Sequence, residues 1–160
     1  MLIDILHSIC YNIDTVKGTA ELKKEVNRYV KGHQEQGYVR ANAMITAWKL
    51  IRYRALKTKV NGTSFDNRQN VLQLLCKYNP ADIAVKLIRD RLNAFDRNAI
   101  AVTAAVKGKV SAVIGYLPKA VASVIAALMD KGINVNADTL SIVGGHGELE
   151  NYGVRINIKI

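Results

Sequence analysis

The stretch Val85-Lys-Leu-Ile-Arg-Asp-Arg-Leu-Asn-Ala-Phe-Asp-Arg-Asn-Ala-Ile-Ala-Val102 decides how this chain folds. An extended, half-buried strand enters a polar turn, Asn93-Ala-Phe-Asp-Arg-Asn98, and a second strand leaves it. Alternation on both sides supports the reading: Ile83, Val85 and Leu87 before the turn, Ile100, Val102, Ala104 and Val106 after it. A period of two puts one set of side chains on a buried face and the other in water. The polar turn can bond its own backbone through Asn93, Asp96 and Asn98 side chains.

Outward from this hairpin the period holds. Lys107-Gly108-Lys109 predicts a tight turn into a strand with Val110, Ala112, Ile114 and Tyr116. At the C-terminus, Val154, Ile156, Ile158 and Ile160 alternate with Arg155, Asn157 and Lys159. Two helices interrupt the strands. One covers about 67–78, with Val71, Leu72, Leu74 and Leu75. The other opens at Pro118, carries Val121, Val124, Ile125, Leu128 and Met129, and stops at Gly132.

Before Thr58 the spacing is helical. Thr19 is the expected N-cap of a helix through Lys31. A longer helix is expected from Gln36 to Lys57, its apolar stripe formed by Ala41, Met44, Ile45, Trp48, Ile51 and Ala55. On that helix Arg40, Lys49, Arg54 and Lys57 fall on the opposite arc, either a phosphate-facing surface or a solvated face. The expected class is therefore α+β: a small, partly open, OB-like β-barrel of five to six strands with two helices over residues 58–160, preceded by a helical N-terminal extension over 1–57.

Charge narrows the partner. The chain of 160 residues has 23 Lys and Arg against 13 Asp and Glu, a formal charge of +10. A surplus of this size favours a polyanion, nucleic acid before an anionic membrane. No apolar run has membrane-spanning length, and MLIDILHSICYNI carries Asp4 without a basic lead, so neither a membrane segment nor a signal peptide is expected. Cys10 and Cys76, each among apolar neighbours, are expected as reduced, buried thiols of a cytoplasmic protein. His7, His33 and His146 are scattered without metal-ligand spacing, and no cofactor or metal is expected. Asp66, Asp90, Asp96 and Glu148 are the carboxylates a magnesium-dependent nuclease would need. No spacing pairs two of them and no nucleophile motif accompanies them, so the chain is not expected to be an enzyme. Gly144-Gly-His-Gly147 lacks the Gly-Lys-Ser/Thr ending of a phosphate loop and is expected as a turn.

The hairpin stretch also resembles the HIRAN family, in which a strand ending in Arg-acid precedes Asn-x-aromatic-Asp-x-Asn-Ala-hydrophobic-x-Val. Val60-Asn-Gly-Thr-Ser-Phe65 is similar to the family's opening strand, and Ile114-Gly-Tyr-Leu-Pro-Lys119 to the element that starts its second helix. HIRAN domains occur at the N-terminus of helicase-like transcription factor and related fork-remodelling ATPases, and as standalone bacterial and phage proteins. The best-understood member captures a single-stranded 3′ end on a modified oligonucleotide-binding barrel. The resemblance thus implies a DNA-binding module acting in replication, repair or phage DNA metabolism.

Carried over by position, the resemblance makes Phe65 and Phe95 stacking platforms, gives Asp96 the 3′-hydroxyl and Asn93 the turn or the sugar. Tyr116 matches a further polar ring, Lys119 a phosphate-binding lysine, and Tyr152 another aromatic. Arg97, Arg68, Lys49 and Arg54 are added as phosphate contacts. Ser64 stands where the family member has an arginine, Phe65 and Phe95 replace tyrosines, and Asp90-Arg91 replaces Glu-Pro; these departures bear on 3′-end recognition. Read from the residues alone, Phe65 and Phe95 are either exposed platforms or core, and Asp96 and Asn98 cap the turn in either case. The competing reading makes the barrel a scaffold and residues 1–57 a surface for self-association or for docking on a larger repair or replication enzyme.

Overall fold

The computed structural model describes residues 35–109, 111–145 and 150–160. The expected helix from Thr19 to Lys31, Cys10, His7, His33, His146 and Glu148 lie outside these residues. Helix α1 (Glu35–Tyr53) leads into strand β1 (Ala55–Val60), and helix α2 (Arg68–Leu75) follows. Strands β2 (Ile83–Arg89), β3 (Ile100–Val106) and β4 (Ser111–Tyr116) form a meander. Helix α3 (Lys119–Asp130) then precedes strands β5 (Asn136–Val143) and β6 (Gly153–Lys159).

The class is α+β as expected, but the strands do not close into one barrel. They form two antiparallel three-stranded sheets, in the orders β1-β6-β5 and β2-β3-β4. Among the described residues a single bridge joins the sheets: the Asn61 and Tyr116 backbones exchange hydrogen bonds of 2.8 and 2.9 Å. Gly115 makes that approach possible. A Cβ there would lie 2.5 Å from Asn61 O and 2.5 Å from Val60 Cγ1, and its φ of 153° disfavours other residues. Beside it, β4 bulges where Val102 pairs with Gly115 and Thr103 with Val113, leaving Ile114 as the extra residue.

Alternation explains the sheets residue by residue. In β6, Val154, Ile156 and Ile158 are buried, while Arg155 and Lys159 are exposed. In β3, Ile100, Val102 and Ala104 join the core, and so do Leu87 of β2 and Ile114 of β4. Val121, Ala122, Val124, Ile125 and Ala126 bury one side of α3 over this core. Each fully buried branched aliphatic side chain contributes about 1.5–3 kcal/mol; Ile100, Ile114, Ile125 and Ile158 are of this kind.

Four expectations are corrected. First, α1 stops at Tyr53, and Arg54 adopts a left-handed φ of 54° with its N–H bonded to Leu50 O at 2.9 Å. This is a helix-ending geometry that usually takes glycine. Lys57 and Thr58 therefore stand in a strand, where Thr58 pairs with Ile156, and Arg54 and Lys57 do not continue the helix's basic arc. Second, α1 contributes Ala43, Ala47 and Leu50 to the core, with Ala41 and Thr46 also buried, while Met44, Ile45 and Trp48 are half-buried. Small residues let α1 approach α3 closely, so Ala43, Ala47 and Leu50 reach deeper than Met44, Ile45 and Trp48 of the expected stripe, whose Ala41 is buried as well. Trp48 instead meets Tyr53 edge-to-face, with centroids 5.7 Å apart. Third, the Asn136–Val143 segment is a strand that the alternation did not single out. Fourth, Cys76, at the C-terminus of α2, is exposed, because only Leu72 and Leu75 of that helix turn fully inward.

Candidate functional site

The turn between β2 and β3 is a rigid scaffold built by its own polar side chains. Asn93 Oδ1 accepts from the Phe95 N–H at 3.0 Å and the Asp96 N–H at 3.1 Å. Asp96 Oδ1 accepts from the Asn98 N–H at 2.9 Å. Asn93 Nδ2 donates to Asp90 Oδ2 at 3.1 Å, and Ala99 N–H bonds Asp96 O at 2.9 Å. The turn capping expected of Asp96 is therefore present.

Arg89 fastens the turn from beneath. Its guanidinium donates to Ala99 O at 3.1 Å and Arg97 O at 3.3 Å, and pairs with Asp130 at the end of α3 at 3.1 Å. Arg91 reaches Asp130 as well, at 2.9 Å. The Arg89 hydrogen bond, with further help from the two positive charges, holds the Asp130 carboxyl below its usual pKa.

This bonding leaves the turn's apolar side chains outside. Phe95 is 95% exposed and Leu92 96% exposed, values with no packing role to explain them. Phe65, in the loop between β1 and α2, is 66% exposed. Both phenylalanines are thus surface rings and not core residues.

Tyr116 connects the two loops. Its hydroxyl donates to Asp90 Oδ2 at 3.1 Å, and the Arg68 guanidinium carbon lies 5.5 Å from its ring centroid. Arg68 in turn donates to Gly62 O at 2.7 Å and pairs with Asp66 at 3.1 Å, which holds the loop bearing Ser64 and Phe65. Burial raises the Tyr116 pKa, and the bond to Asp90 raises it further, since an ionised phenol would face a carboxylate.

Gln69 ties a third segment to this frame. Its side chain donates to Thr63 O at 2.8 Å and Tyr152 O at 3.1 Å, and accepts from Tyr152 N–H at 2.8 Å. Tyr152 is half-buried against the core, its ring seated on Gly145, where a Cβ would come within 2.2 Å of Cε1. Lys119 is exposed at the first position of α3, three residues after Tyr116.

The structure therefore links Phe65, Arg68, Tyr116, Asn93, Phe95 and Asp96 through one chain of contacts, with Ser64, Arg97 and Lys119 exposed on the same loops and helix start. Lys49 and Arg54 stand apart from it, on and just after α1. Asp90, Arg89 and Gln69 are the frame residues that sequence reasoning did not assign to the site. The Arg-Asp pair inside the hairpin was the one signal present. Of the carboxylates weighed for metal binding, Asp66, Asp90 and Asp96 are engaged separately by Arg68, Tyr116 and the Asn98 N–H, and no cluster of three metal-ligating side chains occurs among the described residues. No described helix is long and apolar enough to cross a membrane.

A mixed α+β domain with two exposed rings and several cations held on a hydrogen-bonded loop frame belongs to the class of small binding domains. The HIRAN domain model matches residues 26–160, and the chain belongs to the HIRAN family, a family of DNA-binding domains. No characterised protein and no solved structure gives a match.

Proposed function

We propose that this protein is a non-catalytic module that binds single-stranded DNA or DNA ends through Phe65 and Phe95. The observation that carries the reading is the exposure of two aromatic rings on loops that Arg68, Tyr116, Asp90 and Asn93 immobilise. A preorganised ring costs little entropy when a base stacks on it. Stacking contributes about 1–3 kcal/mol per base and tolerates any sequence. Arg97, Lys119 and Arg68 supply positive charge for the phosphates, with Lys49 and Arg54 as outer contacts, and Ser64 and Tyr152 border the site. Asp96 keeps one carboxylate oxygen, Oδ2, for a terminal hydroxyl while Oδ1 caps the turn. The two sheets then work together as an OB-like binding face, and the activity serves DNA replication, repair or phage DNA metabolism.

Fluorescence anisotropy with single strands bearing free, phosphorylated and blocked 3′ ends, at two salt concentrations, tests the proposal. Submicromolar to micromolar affinity that falls with salt and prefers a free 3′ end supports it; equal affinity for all three ends removes the end-specific part.

A further inference from the structure

The solvent face of the β1-β6-β5 sheet carries a charge pattern that the loop site does not use. Antiparallel register places Lys59 directly opposite Arg155, and Arg155 opposite Ser141 on the next strand. One step along, Lys57 stands opposite Asn157. Lys57, Lys59, Arg155 and Ser141 are all exposed, while their neighbours Leu56, Val60, Val154, Ile156 and Leu140 fill the core.

Charge on this face is not evenly compensated. At the far end Asp138 pairs with Lys159 and accepts from Asn157 Nδ2 at 3.0 Å. Toward the loop site the row is cationic, and like charges directly opposite each other on neighbouring strands are destabilising. Edge protection explains a lysine on β1, since edge strands favour lysine. It does not explain Arg155, which lies on the central strand of the sheet.

The strip also begins where the loop site ends. Lys59 is two residues before Asn61, whose backbone bridges to Tyr116. Arg155 is three residues after Tyr152, which Gln69 ties to the Phe65 loop. We propose that the phosphate backbone of a DNA strand leaving the aromatic site runs along Arg155, Lys59 and Lys57. This proposal rests on the single-strand reading given above and extends its footprint from the terminal bases to the following nucleotides. Phosphates would relieve the Lys59–Arg155 repulsion, so binding and cross-strand strain are coupled.

The test uses the full chain, a Lys57→Gln/Lys59→Gln variant and a Lys77→Gln/Lys107→Gln variant of equal net charge. Lys77 and Lys107 are exposed and outside both the site and the strip. Each protein is titrated with DNA strands of about four and about sixteen nucleotides. Removing Lys59 lifts a repulsion, so the first variant should keep its melting temperature. The proposal predicts that it binds the long strand on the order of tenfold more weakly, with a salt slope shallower by about 1.4 for two lost phosphate contacts, and binds the short strand as before. Unchanged long-strand binding, or a loss matched by the Lys77→Gln/Lys107→Gln variant, overturns the strip. Failure of the unaltered protein to bind even the short strand overturns the loop-site reading itself, and the strip falls with it.

Discussion

The Tyr116 hydroxyl and the Asn93 side-chain amide both donate to Oδ2 of Asp90, at 3.1 Å each. That shared oxygen joins β4 to the β2–β3 turn, so the Asp90 carboxylate positions the loop carrying Phe95. Hydrogen bonds to a charged acceptor are stronger than neutral ones. Replacing Tyr116 by Phe removes one of them from a partly buried site. The expected cost is about 1 kcal/mol in urea unfolding, with Phe95 losing positional order.

The same contact gives a signature at alkaline pH. The folded-state pKa of Tyr116 lies above the ordinary phenol value of 10.0. The folded protein therefore holds a proton that the unfolded chain has released. Its stabilising contribution is complete below pH 10 and is lost as pH rises from there through the folded-state value. Unfolding free energy measured across pH 8–11 should fall more steeply for the unaltered protein than for Tyr116→Phe. Parallel curves would show that the phenol is not perturbed.

Gly115 is expected to be intolerant. A methyl group there would overlap Asn61 O and Val60 Cγ1, at and just past the end of β1, where the bridge forms. Gly115→Ala should destabilise by more than about 2 kcal/mol. Hydrogen exchange should speed up at the Asn61 and Tyr116 amides, the two that form the bridge.

Arg54→Gly should act in the other direction. Arg54 occupies a left-handed conformation at the end of α1, where glycine has no Cβ penalty. A gain of about 1 kcal/mol in unfolding free energy is expected.

Much of the fold was legible in the sequence because burial imposes a period. The β2–β3–β4 meander, β6, α2 and α3 all follow alternating or helical spacing. β5 escaped because Asn136 and Asp138, poor strand formers, interrupt its start, and its stability comes from pairing along β6. The end of α1 was hidden because an arginine does the work expected of a glycine. Its buried face was misread because Ala43 and Ala47 carry little hydrophobic signal, yet close packing against α3 selects small residues. At the site, the residue types of the hairpin gave its turn-capping role, and the binding roles of Asn93, Phe95 and Asp96 came from the resemblance to the HIRAN pattern. The frame could not be read in either way: Asp90 meets Tyr116 across the sheet, and Gln69 meets Tyr152 from the far side of the chain. Only the fold brings such pairs together.

The central claim is that Phe95 and Phe65 are binding platforms and not structural residues, and their replacement by Ala in DNA titrations tests it most directly. At 95% and 66% exposure, neither ring supports the core, so each variant should keep its melting temperature. Losing one stacked base costs about 1–3 kcal/mol, a roughly 5- to 150-fold weaker affinity for a single strand. Full-strength binding by a Phe65→Ala/Phe95→Ala protein would contradict the account.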